Sequence, residues 1–229
     1  MTGMPILAAA LAGVPAGVQS LGPWAGRRQL FVRFAGEAET ATMYLAPALI
    51  RELERSLARS TFHSIVIGGR DPLASVPFLK TALEAAKPNV PVMLDTDGMR
   101  PEELPALLGL LALVQVTVEL GGSEAALDHA LETLKVAAKG GVAHALVLVP
   151  RDDTTDSVLM RLVVEAHAAS VATQIVIHPP VSGDTSPVLD RRWATLLEKA
   201  IAAHADTRLA LRIPQIGRAS CRERVSPYV

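Results

Sequence analysis

Asp95, Asp97, Glu119 and His178 are the residues of this chain with the types that metal binding or proton transfer needs. Carboxylates hold hard divalent cations, and a carboxylate or an imidazole can take up a proton as a general base. The four lie in separate stretches, "LDTDG" at 94–98, "VEL" at 118–120 and "VIHP" at 176–179, so only a shared position in a fold could bring them together. A second group sits in "VIGGRDP" at 66–72. Gly68 and Gly69 let a backbone approach an anion or a nucleotide, although a Gly pair at a strand end also serves as a plain tight turn. Arg70 could grip a carboxylate or phosphate. The expectation is that it pairs internally with Asp95 or Glu119. Glu37 and Glu39, on a Thr-rich loop, read as solvated acids, with metal binding as the alternative.

The elements that would position these groups recur about every thirty residues. Seven short aliphatic runs appear: "QLFVRF" from Gln29, "SIVIGG" from Ser64, "VPVMLDT" from Val90, "VQVTVEL" from Val114, "ALVLVP" from Ala145, "TQIVIHP" from Thr173 and "RLALRIP" from Arg208. Segments of helical period lie between them. Leu49, Ile50, Leu53 and Leu57 share one face of the first, and Trp193, Leu196, Leu197 and Ile201 one face of the last, which Ser186 and Pro187 can open. Asp71-Pro72 and Pro101-Glu102-Glu103 read as two further helix starts, and Gly140-Gly141 as the end of a helix from near Ser123. Alternating strand and helix give a parallel sheet, here of six or seven strands with covering helices, curled into a full or partial barrel. In such folds the functional lip is at the carboxyl ends of the strands. Glu37, Gly68, Gly69, Arg70, Asp95, Asp97, Glu119 and His178 fall there, together with Gln215 after the seventh run.

Composition limits the function classes. The chain has 229 residues, half of them hydrophobic but only 3% aromatic, so Ala, Leu and Val must form the core. That suits buried parallel strands. Net charge is -1 with acids and bases interleaved, which leaves no footprint for nucleic acid. The apolar "MPILAAALAGVPAGV" near the start lacks a preceding basic residue and contains Pro15. It does not read as a secretory signal, and it is too short to span a bilayer, so the expectation is a cytoplasmic protein without a membrane. The single cysteine, Cys221, can neither form an internal disulfide nor hold a metal cluster by itself. It belongs to an Arg-rich ending, residues 217–229, that lacks aliphatic periodicity and reads as a non-native or disordered tail beyond one domain at 1–216. Of the other histidines, His63 and His144 fall at strand entrances, and His129, His167 and His204 read as surface or helix-end residues.

Four segments carry a resemblance. "GPWAGRRQLFVRFAG" at 22–36, "HSIVIGGRDPL" at 63–73, "VMLDTDG" at 92–98 and "LRIPQI" at 211–216 are similar, in this order, to the motifs of radical S-adenosylmethionine enzymes, most of all 7-carboxy-7-deazaguanine synthase. The likeness runs over most of residues 17 to 216. It implies a partial (β/α) barrel, a homodimer, a 4Fe-4S cluster on three cysteines spaced CxxxCxxC, and S-adenosylmethionine bound beside it. Here the three cluster positions are Glu37, Ala41 and Tyr44, and a carboxylate, a methyl and a phenol cannot hold a cubane cluster. Arg70 stands where the family has a Glu that receives the cofactor's amino group, which reverses the charge. Gln19-Ser20-Leu21-Gly22 stand in place of a Gly-Glu-Gly that helps to hold the substrate.

The expectation is therefore a cluster-less radical S-adenosylmethionine-like protein that binds a small ligand or a partner and performs no radical chemistry. Its ligand-binding residues would be Gly68, Gly69, Arg70, Asp95, Asp97, Glu119, His178 and Gln215, with no cofactor required. Two alternatives stand beside it. One is a divalent-metal-dependent barrel enzyme using Asp95, Glu119 and His178. The other is a scaffold subunit that pairs with an active paralogue.

Overall fold

Short runs of Val, Ile and Leu bounded by Gly, Pro and Asp favour strands buried on both faces, and all seven such runs are strands in the structure. The structure, a computed structural model, describes residues 7–121, 124–180 and 191–212. In chain order the strands are β1 (Ala8–Gly13), β2 (Ala16–Val18), β3 (Arg28–Phe34), β4 (Thr42–Leu45), β5 (Ser64–Gly69), β6 (Val92–Thr96), β7 (Leu113–Glu119), β8 (Ala143–Val149), β9 (Gln174–Ile177) and β10 (Thr207–Leu209). The helices are α1 (Ala46–Arg59), α2 (Val76–Ala86), α3 (Glu124–Lys139), α4 (Asp156–Ala169) and α5 (Arg191–Ala203).

The sheet runs β10-β9-β8-β7-β6-β5-β3-β1-β4, with β2 attached to β3. From β3 to β10 every neighbouring pair is parallel, whereas β1, β2 and β4 join antiparallel. The order ends on β10 and β4 without closing on itself, so a full barrel is excluded and the sheet is open. From Ala8 to Val18 the apolar stretch near the start supplies β1 and β2 of this sheet, and Ala9 and Leu11 of β1 are buried. Among the described residues no helix is long and apolar enough to cross a membrane.

Successive side chains of a strand point to opposite faces, and the sheet uses this strictly. Ile65 and Ile67, Leu94, Val114 and Val116, Leu146 and Leu148, Ile175 and Ile177 pack with residues of all five helices in one core. The alternate residues Val66, Met93, Leu113 and Ala145 form a separate, helix-free cluster with Trp24 and Phe31. Among the described residues, helices therefore cover one face only. The other face is roofed by the β2–β3 hairpin loop, residues 19–27, which Gln19 N–H to Arg27 C=O and Gly26 N–H to Gln19 C=O close on itself.

Three helix expectations change in detail. Pro101 opens no α-helix: residues 101–110 form turns and two 3-10 segments, Leu104–Ala106 and Leu108–Leu110. Pro105 has no N–H to give to an i→i−4 ladder and blocks its continuation. After Asp71-Pro72 a 3-10 turn, Pro72–Ser75, precedes α2, whose first turn carries Pro77. On α5 the buried stripe is Trp193, Leu196 and Ala200, while Ile201 is exposed. α3 does end at Gly140-Gly141, where Gly141 takes φ +71°. Ser186, Pro187, Gln215, Cys221 and the tail 217–229 lie outside the described residues.

Candidate functional site

β7 reads Leu113-Val-Gln-Val-Thr-Val-Glu119. Its period of two sends Val114, Val116 and Val118 to the helical core and leaves Gln115, Thr117 and Glu119 on the helix-free face. β6 pairs with it in the register Asp95↔Gln115 and Thr96↔Val116, which sets the Asp95 carboxylate beside the polar row of β7. The Thr117 hydroxyl donates to Asp95 Oδ1 at 2.7 Å and accepts from Gln115 Nε2 at 3.2 Å. Desolvation pushes the Asp95 carboxyl above the usual carboxylate range, while the Thr117, Gln115 and Gln19 side chains pull it the other way. Gln115 and Gln19 are buried, and Gln115 Oε1 has no hydrogen-bond partner among the described residues.

This row opens into a cleft of about 390 Å³ lined by Gly69, Asp95, Thr96, Asp97, Met99, Thr117, Val118, Glu119 and Ala126. Of the residues expected at the lip, Gly69, Asp95, Asp97 and Glu119 are thus brought together. The turn after β6 is held from within. Thr96 Oγ1 accepts the Gly98 N–H at 3.1 Å, the Gly98 carbonyl accepts from Thr133 Oγ1 at 2.8 Å, and Asp97 Oδ1 accepts the Met99 N–H at 3.1 Å. Gly69 is required by its conformation: at φ +95° a Cβ would stand 2.2 Å from the Phe34 carbonyl oxygen. Gly68 is less constrained, its nearest neighbour being the Asp95 Cβ at 3.4 Å.

Arg70 corrects the expectation. It pairs with Glu37 at 2.7 Å, on the surface, with 58% and 81% of the two side chains exposed, and not with Asp95 or Glu119. The reason is chain direction. Beyond Gly69 the backbone turns back over β3, its Arg70 N–H bonded to the Phe34 carbonyl, and the side chain follows toward the β3–β4 loop. Asp71, at φ +44°, accepts both hydrogen bonds of Arg100 Nε, at 3.0 and 2.8 Å, and so ties this loop to the one after β6. Glu39 is also engaged, accepting from Gly36 N–H at 3.0 Å and pairing with Arg33, so neither acid of this loop is simply solvated.

His178 does not join Asp95 and Glu119. It is buried at the end of β9, and its Nε2 accepts the Gly22 N–H of the hairpin loop at 3.0 Å. Burial holds its pKa down, to about 4; the Ala210 backbone pulls the other way without forming a hydrogen bond to Nδ1, and the charges of Arg212 and Arg208 add to the lowering. Among the described residues no group of three His, Cys, Asp or Glu side chains could hold a metal ion. The other histidines are mostly structural. His63 stacks edge-on with Trp24 at 5.0 Å, and His144 is buried and bonded to Val142 C=O and Ser170 Oγ. His204, expected at a surface or helix end, is buried at the end of α5.

The residues missed by sequence reasoning are Gln19, Gln115 and Thr117. The alternation Gln115-x-Thr117-x-Glu119 was a signal that one face of this strand is not an apolar core.

Of the three positions implied for cluster cysteines, Glu37 is in an ion pair, Ala41 is exposed, and Tyr44 lies in β4 packed against the core. This donor set does not fit an iron–sulfur cluster.

An open, mostly parallel α/β sheet with a polar cleft at its carboxyl ends defines the class of this protein. No protein-family model matches the chain. It is similar to 7-carboxy-7-deazaguanine synthase of Methanothermobacter thermautotrophicus, with 28% identity over 131 residues, 51% of this chain and 52% of that protein. The match thus spans about half the length of the relative. This supports distant relatedness to that enzyme.

Proposed function

We propose that this chain is a radical S-adenosylmethionine-like protein without cluster chemistry, which keeps the strand-end cleft as a site for a small ligand. The observation that carries the reading is the Glu37–Arg70 ion pair. In the resemblance, position 37 is the first cluster thiolate and position 70 the acid that receives the cofactor's ammonium. Here the two replacements carry opposite charges and neutralise each other. A cation at position 70 repels the group that an acid would hold, and a carboxylate bound to it is no longer available as a ligand. Asp95, Asp97 and Glu119, by contrast, still line an open cleft. Assembly as a homodimer and a place in the cytoplasm belong to the same reading.

The test is expression with full iron–sulfur supply and anaerobic purification, followed by thermal-shift screening against S-adenosylmethionine, S-adenosylhomocysteine, pterins, purines and divalent metals. The protein should be colourless and release no 5'-deoxyadenosine. A Tm increase with a small ligand, lost in Asp95→Asn, would support the cleft as its site. About four irons per chain with the absorption of a cluster would overturn the reading.

A further inference from the structure

We propose that His167 and His204 form a binding site for one divalent transition-metal ion where the C-terminal ends of α4 and α5 meet. His167 stands in the last turn of α4, and His204 follows directly on α5, its N–H bonded to the Ala200 carbonyl. Their Nδ1 atoms are 3.1 Å apart, with the rings edge-on at 76°.

The tautomer of His204 follows from its surroundings. Its Nε2 lies 2.5 Å from the Thr173 carbonyl oxygen, which can only accept, so Nε2 carries the proton and Nδ1 presents a lone pair. That nitrogen is 3.1 Å from His167 Nδ1, on the side of the ring facing His167. A histidine whose far nitrogen donates to a carbonyl is the arrangement that orients a metal ligand and raises its basicity. His204 is buried, so it is held in place, whereas His167 is exposed and its ring can turn.

The separation suits a metal. Two nitrogens 3.1 Å apart, each about 2.0–2.1 Å from one ion, subtend an angle of about 100°, between the octahedral and tetrahedral values. Water would complete the coordination, since two imidazoles are the protein's share. The site lies at the negative ends of two helix dipoles, which favours a cation at this point. Imidazole pairs select copper, nickel and zinc over magnesium or calcium, and the competitor for the same lone pairs is a proton.

The experiment uses the full chain without an affinity tag, carrying Cys221→Ser so that no thiol contributes. Zn²⁺ titration by calorimetry should give one ion per chain, and Zn²⁺ or Ni²⁺ should raise Tm. Cu²⁺ loaded at one equivalent should show hyperfine splitting from two imidazole nitrogens. His167→Gln keeps a donor for His204 and should fold normally, yet lower the Zn²⁺ affinity at least tenfold and remove one nitrogen from the Cu²⁺ signal. His129→Gln, on the exposed face of α3, should bind as the parent does. Failure to bind Zn²⁺ below millimolar concentration, or unchanged binding in His167→Gln, would overturn the site and leave a proton as what joins the two rings.

Discussion

Replacing Thr117 by valine tests the polar row of β7 with almost no change of shape. The hydroxyl makes two bonds, donating to Asp95 Oδ1 at 2.7 Å and accepting from Gln115 Nε2 at 3.2 Å. A hydrogen bond to a charged group contributes about 1.5–3 kcal/mol, and a buried amide left without its partner costs about 1–3 kcal/mol. Gln115 has no slack, because it is fully buried and its Oε1 is already unpartnered among the described residues. The two effects share one hydroxyl and will not add in full, so the loss expected at pH 7 is about 2–4 kcal/mol. For a domain of this size that is a fall in Tm of roughly 5–12 °C.

The assay is urea unfolding of both proteins at pH 7 and in mild acid, read at constant m-value. The pH arm has a definite sign. Burial raises the Asp95 carboxyl, so the folded state takes up this proton more readily than the unfolded chain. Once it is taken up, Thr117 loses a charged acceptor, and the gap between parent and Thr117→Val should narrow. The same sign makes Asp95→Asn, which removes the charge and keeps an acceptor oxygen, neutral or stabilising at pH 7. A loss under about 0.5 kcal/mol at pH 7 in Thr117→Val, or a gap that widens in acid, would refute the reasoning.

Two further outcomes follow from the same geometry. The His178 ring, with its pKa lowered to about 4, should stay neutral at pH 6 by NMR; since the unfolded value is near 6.5, its contribution of up to about 3 kcal/mol is present above pH 6.5 and lost as the pH falls toward 4. A titration midpoint near 6.5 in the folded protein would contradict this. Gly69→Ala should lose roughly 3–5 kcal/mol, because the new Cβ meets Phe34 backbone at 2.2 Å and φ is +95°, whereas Gly68→Ala, with a 3.4 Å contact to the Asp95 Cβ, should lose far less; equal effects in denaturant unfolding would mean that the strand end is placed wrongly.

The sequence by itself determined the seven strands and most of the helices between them, because a period of two or 3.6 is a local property that survives without knowledge of neighbours; that the helices cover one face and leave the other to a hairpin loop came from the tertiary structure. The sequence also placed Gly69, Asp95, Asp97 and Glu119 at strand ends, where the structure gathers them into one cleft. Partners were another matter. Arg70 chose Glu37 over Asp95 and Glu119 because the chain folds back over β3 after Gly69, a turn that no spacing encodes. His178 is absent from the lining of that cleft and is engaged instead by the hairpin loop, whose Gly22 N–H reaches it from 156 residues earlier. The meeting of His167 and His204, from the ends of two different helices, likewise depends on how α4 and α5 pack. Local pattern decides which face a residue takes; which groups confront each other across that face depends on the closing of long loops, and only the tertiary structure decides it.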